Sequence, residues 1–162
     1  LLKGRGGLPE IHIQNEAAHC EISLMGAHLL SFIPAGRREV FFLSEKSEYS
    51  TTGKAIRGGI PVCWPWFARC GPAGSKLHGV ARYARWRVTG SEYSEDVTEV
   101  TLALESDAET RKAWPHDFAL ELKVSDESPI GKALSGARVG DVVEVTTPAG
   151  KVFTMEILEI NI

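Results

Sequence analysis

Residues 11–34 read IHIQNEAAHCEISLMGAHLLSFIP. In IHIQN (11–15), HCEISLM (19–25) and HLLSFIP (28–34), apolar and polar residues alternate or nearly so. Gly26, the Pro34-Ala35-Gly36 turn and the charged trio Arg37, Arg38 and Glu39 punctuate them. A period of two places one set of side chains on one face of a strand, so this stretch predicts strands and hairpins rather than helices. Working outward, EVFFLS (39–44) is a short continuous apolar run and predicts a strand buried on both faces. RYARWRVTGSEY (82–93) and DVTEVTLALES (96–106) predict two more strands across a polar turn. DAETRKAW (107–114) is the one helix-like patch before Lys123, and it is short. The chain is therefore mainly β.

Bulk properties set the outer bounds. The 162 residues suit one domain, or one domain with a small appendage. Hydrophobic residues make up 43% and charged residues 24%, as in ordinary globular proteins. A net charge of -3 argues against a dedicated nucleic-acid binder. No apolar run is long enough to cross a bilayer as a helix. The start, LLKGRGGLPE, lacks the apolar core of a secretory signal and an initiating Met, as a fragment or trimmed chain does. Cys20, Cys63 and Cys70 are odd in number and form no CxxC pair. That points away from a disulfide framework or a structural zinc site and toward a reducing cytoplasm.

Candidate chemistry gathers between residues 44 and 82. SEKSEYSTTGK (44–54) is a polar loop. AIRGGIPVCWPWF (55–67) then sets one arginine and two glycines against an aromatic, aliphatic and proline wall. The segment from Gly58 to Gly79 is too rich in glycine and proline for a long helix or a central strand, and predicts an ordered loop packed on the core. The Arg57 guanidinium can give paired hydrogen bonds to phosphate or carboxylate oxygens. Gly58 and Gly59 would let the backbone approach a ligand and expose N–H donors. The plain alternative for Arg57 is a side chain lying over a core loop beside a carboxylate. In LHGVAR (77–82), His78 can donate to a ligand's ring oxygen or hydroxyl, or serve as a hydrogen-bonded structural histidine. Arg82 can join Arg57 on an anion, or belong with Arg85 and Arg87 to the solvated face of a strand. In WPHDF (114–118), adjacent His116 and Asp117 would point to opposite faces of a strand and are expected to be structural or rim residues. His12, His19 and His28 show no ligand spacing along the chain, so no metal site is expected from them.

Taken in order, GAHLLSF, PAG, EVFFLS, AIRGGIPVCWPWF, LHGVAR and WPHDFAL resemble the N-terminal part of the hexose-6-phosphate mutarotases, or glucose-6-phosphate 1-epimerases, of the aldose 1-epimerase superfamily. The resemblance covers roughly Ile11 to Leu122. It implies part of a galactose-mutarotase-like antiparallel β-sandwich over residues 1–122. It also implies a cofactor-free isomerase reaction in which a general acid and a general base open and reclose the ring of a hexose 6-phosphate. By position it makes Arg57, His78 and Arg82 substrate-binding residues. The family's catalytic histidine and glutamate lie on later strands, and the pattern stops near Leu122, so no catalytic residue is assigned here. A truncated sandwich would leave strand edges uncovered, which predicts a homo-oligomer.

From residue 123 the composition changes. SPIGKAL (128–134) predicts a single helical turn with Ser128 as N-cap and Pro129 at its first position. DVVEVTT and KVFTMEILEI alternate about Pro148-Ala149-Gly150, a hairpin pattern. Residues 123–162 resemble the C-terminal, FKBP-like domain of the Gre-type transcription elongation factors. That resemblance implies contact with RNA polymerase and no direct nucleic-acid binding. Transcript cleavage is not expected without the family's N-terminal coiled coil. The chain thus reads as a junction of two unrelated gene segments, a chimera of a small FKBP-like β-hairpin with a sandwich segment, active or inactive.

Overall fold

The computed structural model describes residues 1–51, 54–94, 98–125, 142–146 and 152–156. Strands dominate, as the alternating patterns require. β1 (Leu2–Lys3), β2 (Pro9–Gln14), β3 (Ala18–Ser23) and β4 (His28–Pro34) form an antiparallel four-stranded sheet in sequence order. A short 3-10 turn over Arg5–Gly7 separates the first two. The β2–β3 hairpin is closed by Asn15, whose Oδ1 accepts from Ala17 N at 2.9 Å and Ala18 N at 2.8 Å. This is the self-capping that suits asparagine to turns.

Register explains the two faces of this hairpin. Ile11 pairs with Ile22 and Ile13 with Cys20, while His12 pairs with Glu21 and Gln14 with His19. Every second residue therefore turns to the apolar side, and the polar residues between them share the other. Ile22, Leu24 and Leu30 are buried, as are Leu8, Ile56 and Trp86. Burial pushes the Cys20 thiol up to about 12, with the Glu21 and Glu39 charges adding to it. All three cysteines are free.

The expected strand over EVFFLS does not form. Leu43 makes only an isolated bridge to Gly58, and Phe42 is 67% exposed. The cause is Glu39. Its carboxylate accepts from Phe32 N and Phe41 N, each at 2.9 Å, and from the Ser31 hydroxyl. Backbone donors that a ladder would pair are taken by a side chain instead.

β5 (Arg87–Tyr93), β6 (Thr98–Glu105) and β7 (Ala119–Ser125) form a second sheet in that order. Thr98, Val100, Leu102 and Leu104 of β6 are buried in strict alternation. α1 (Ala108–Ala113) is the predicted short helix. Asp107 caps it by accepting from Thr110 N at 2.7 Å, which holds the Asp107 carboxyl below the usual carboxylate range. RYA at the start of the predicted strand instead lies in or beside a 3-10 turn over Ala81–Tyr83.

β8 (Val142–Thr146) and β9 (Val152–Glu156) pair antiparallel, from Val142 opposite Glu156 to Thr146 opposite Val152. The hairpin pattern is thus observed in its strands. The predicted Ser128 cap and the Pro148-Ala149-Gly150 turn lie outside the described residues. The chain forms two compact units, one of residues 1–89 and 101–122, the other of residues 90–100 and 123–162. No helix among the described residues is long and apolar enough to cross a membrane.

Candidate functional site

Arg57 sits where two segments cross. Its backbone is clamped by Ser47, whose Oγ accepts from Arg57 N at 2.9 Å and lies 3.0 Å from Arg57 O, which also accepts from Ser44 N at 2.9 Å. The guanidinium stays exposed and has no carboxylate partner among the described residues.

The two glycines that follow approach protein rather than solvent. Gly58 has φ +100, and a Cβ there would lie 2.1 Å from Phe42 O. Gly59 has φ +60, and its N–H donates to Phe42 O at 2.8 Å. The expected exposed Gly59 donor is therefore already spent. Glycine is needed here because the 58–59 backbone wedges between residues 42–43 and β4 in a left-handed conformation.

Beneath the wedge lies His28, a residue whose role chain spacing did not reveal. It is 1% exposed, and its Nε2–H donates to Gly58 O at 2.7 Å. Burial, with the Arg82 charge assisting, pushes its pKa below the ordinary histidine value despite the favourable Gly58 carbonyl. His28 is thus a neutral strut holding the Arg57-Gly58-Gly59 turn onto β4. The clue in the sequence is a histidine opening a strand whose other residues, Ser31 apart, are all apolar.

His78 and Arg82 enter from the far end of the 58–79 loop. His78 Nδ1 accepts from Ala68 N at 3.1 Å, which leaves the proton on Nε2 as a donor. The Phe67 ring meets it edge-on at 4.7 Å. Arg82 reaches Ile56 O at 3.5 Å and sits 5.6 Å from the centre of the Tyr83 ring. Its Nε is buried without a hydrogen-bond partner, an uncommon state for a charged donor.

Arg57, His78 and Arg82 line one groove of about 890 Å³, so the structure brings all three candidates together. Lys46, Glu48, Lys54 and Tyr83 share its walls. Lys54 is paired with Glu48, leaving Lys46, Arg57 and Arg82 as cations without a carboxylate among the described residues. Both lysines lie in the 44–54 stretch, which read only as a polar loop. The charge pattern that marks them is their position just before Arg57.

The expected aromatic wall is not part of this groove. Trp64 packs on Phe118 with ring centres 4.5 Å apart, and Trp66 faces Trp114 at 6.0 Å. Trp66 Nε1 donates to Lys76 O at 3.0 Å. These large rings are consumed in closing the loop, and the groove takes its ring from Tyr83. His116 packs on Trp114 at 4.6 Å, and Asp117 accepts from Arg111 Nε at 2.8 Å at the exposed rim.

The profile of the family described as "Aldose 1-epimerase" matches residues 9–125. A "Putative glucose-6-phosphate 1-epimerase" of Escherichia coli strain K12 is 42% identical over 110 residues, covering 68% of this chain and 37% of that protein. The crystal structure of a "putative mutarotase" from Salmonella typhimurium has a TM-score of 0.68 and 39% identity, over 72% of this chain and 39% of that one. A "Transcription elongation factor GreA" of Thermoanaerobacter pseudethanolicus is 41% identical over 86 residues, 53% of this chain and 48% of that protein. The chain spans less than half the length of each of these three.

Proposed function

The chain belongs to the aldose 1-epimerase family, and on that footing we propose that the groove binds a hexose 6-phosphate. Arg57 and Arg82 hold the phosphate, and His78 Nε2–H donates to a sugar oxygen. The observation that carries this reading is the set of cations on one groove with no carboxylate partner among the described residues, including a buried Arg82 Nε with no acceptor. A phosphate dianion supplies acceptors for such donors and offsets their charge. Tyr83 offers a ring face to the sugar's C–H groups.

Anomer interconversion needs an acid and a base within hydrogen-bond reach of the substrate. Among the described residues lining the groove, the only imidazole is His78 and the only carboxylate is Glu48, which is tied to Lys54. The proposal is therefore binding by this chain, with no catalytic pair assigned to it.

Arg57→Ala tests the phosphate role. Loss of a charge-assisted pair is expected to weaken glucose 6-phosphate binding on the order of 10- to 100-fold, with glucose binding unchanged. Calorimetric titration of the variant with both ligands reads this directly. Equal weakening for the two would remove the phosphate from Arg57.

A second reading is carried by the GreA-type match. Residues 123–162 would bind RNA polymerase. Capture of purified polymerase by the full chain, displaced by excess GreA, would support it, and absence of capture would reject it.

A further inference from the structure

From the outer face of the β2–β3 hairpin, we infer that His12, His19 and Glu21 form a binding site for a divalent transition-metal ion, built into the fold and separate from the groove. Their ligand atoms, one from each side chain, all lie within 4.8 Å of one another. His19 Nε2 is 3.1 Å from Glu21 Oε1, and His12 Nδ1 is 3.9 Å from the same oxygen. Tetrahedral ligands about 2.1 Å from a metal stand about 3.4 Å apart, so small side-chain rotations reach that geometry. Two imidazole nitrogens and one carboxylate oxygen suit zinc and its neighbours, with a position left for water.

The groups behind the three ligands already orient them. His12 Nε2 lies 3.3 Å from Glu10 Oε2, and His19 Nδ1 lies 3.2 Å from Gln14 Oε1. With His12 Nε2 as the N–H donor to Glu10, His12 Nδ1 carries its lone pair on the side facing Glu21, which is how outer partners fix the tautomer of metal-binding histidines. His19 Nε2–H donates to Glu21 Oε1 at 3.1 Å, and that shared proton is the one a bound metal would replace. Arg5 Nη1 donates to Glu21 Oε2 at 2.6 Å, leaving Oε1 for the imidazoles.

Glu10 is a purposeful part of this arrangement. It is 1% exposed and accepts from Arg5 N at 2.8 Å. A Cβ at Gly4 would lie 2.0 Å from Glu10 Cδ, so glycine there makes room for the carboxylate behind His12. Meanwhile His12 and His19 remain 31% and 25% exposed, open to an arriving ion. The spacing His12, His19, Glu21 matches no linear ligand motif. Antiparallel register supplies the site by setting His12 opposite Glu21 and Gln14 opposite His19.

The test is calorimetric titration of the chelator-treated full chain with zinc chloride. One zinc per chain is expected, with affinity lowered at least tenfold by His19→Ala and by Glu21→Gln. His116→Ala serves as the histidine control and should leave affinity unchanged. Cobalt(II) should give a d–d spectrum without a thiolate charge-transfer band, which separates this site from Cys63 and Cys70. Both substitutions lie on the outer face, and the circular dichroism of the metal-free variants checks that they fold. No saturable zinc binding by the unaltered chain would overturn the assignment. So would binding that survives His19→Ala, or a cobalt spectrum dominated by thiolate.

Discussion

Gly58→Ala is expected to lower folding stability by about 3 kcal/mol. Two effects combine. At φ +100 any side chain is strained, and the new Cβ would meet Phe42 O at 2.1 Å and Leu43 Cα at 2.9 Å. These are backbone atoms, which cannot swing away as a flexible side chain can. Relief requires moving the 42–43 segment or the turn itself, and the turn carries both Arg57 and the carbonyl that His28 grips. Urea denaturation should show a lower midpoint with an unchanged slope. A change of less than about 0.5 kcal/mol, the range of ordinary surface substitutions, would mean that the turn is not wedged as described.

His28→Ala is the second large effect, again expected at about 3 kcal/mol. It opens a cavity beneath β4 and leaves Gly58 O without its donor. The same histidine also predicts a pH dependence. Its folded pKa lies below the ordinary value of 6.5, because burial and the Arg82 charge disfavour the imidazolium. The unfolded chain therefore binds more protons in the window between the depressed value and 6.5. His28 contributes its full stability above that window and loses it as pH falls through the folded pKa. His28→Gln keeps an N–H donor and does not titrate. Denaturation from pH 7 down to pH 5 should thus show a shallower loss for His28→Gln than for the unaltered chain. Parallel curves would show that His28 is not buried neutral.

The strands around residues 11–34 were legible because alternation with period two reports burial directly, and β2, β3 and β4 fall on the three alternating stretches. EVFFLS misled for a physical reason. Its apolar run carries no trace of the Glu39 carboxylate capturing the donors of Phe32 and Phe41. Arg57, His78 and Arg82 could be nominated from residue type and motif order. Their convergence on one groove depends on the closure of the 58–79 loop, which local spacing does not encode. The same loop explains why the Trp64 and Trp66 wall was misplaced, since those rings pack on Phe118 and Trp114. His28 and the His12–His19–Glu21 cluster escaped because each depends on a partner brought close by register or loop return.

Calorimetric titration of the unaltered chain with glucose 6-phosphate, against glucose as control, tests the central claim most directly. Saturable binding of glucose 6-phosphate, with glucose much weaker, is the predicted result. The same titration on a chain shown by circular dichroism to be folded, yielding no binding or equal binding of both sugars, would contradict the assignment of the groove.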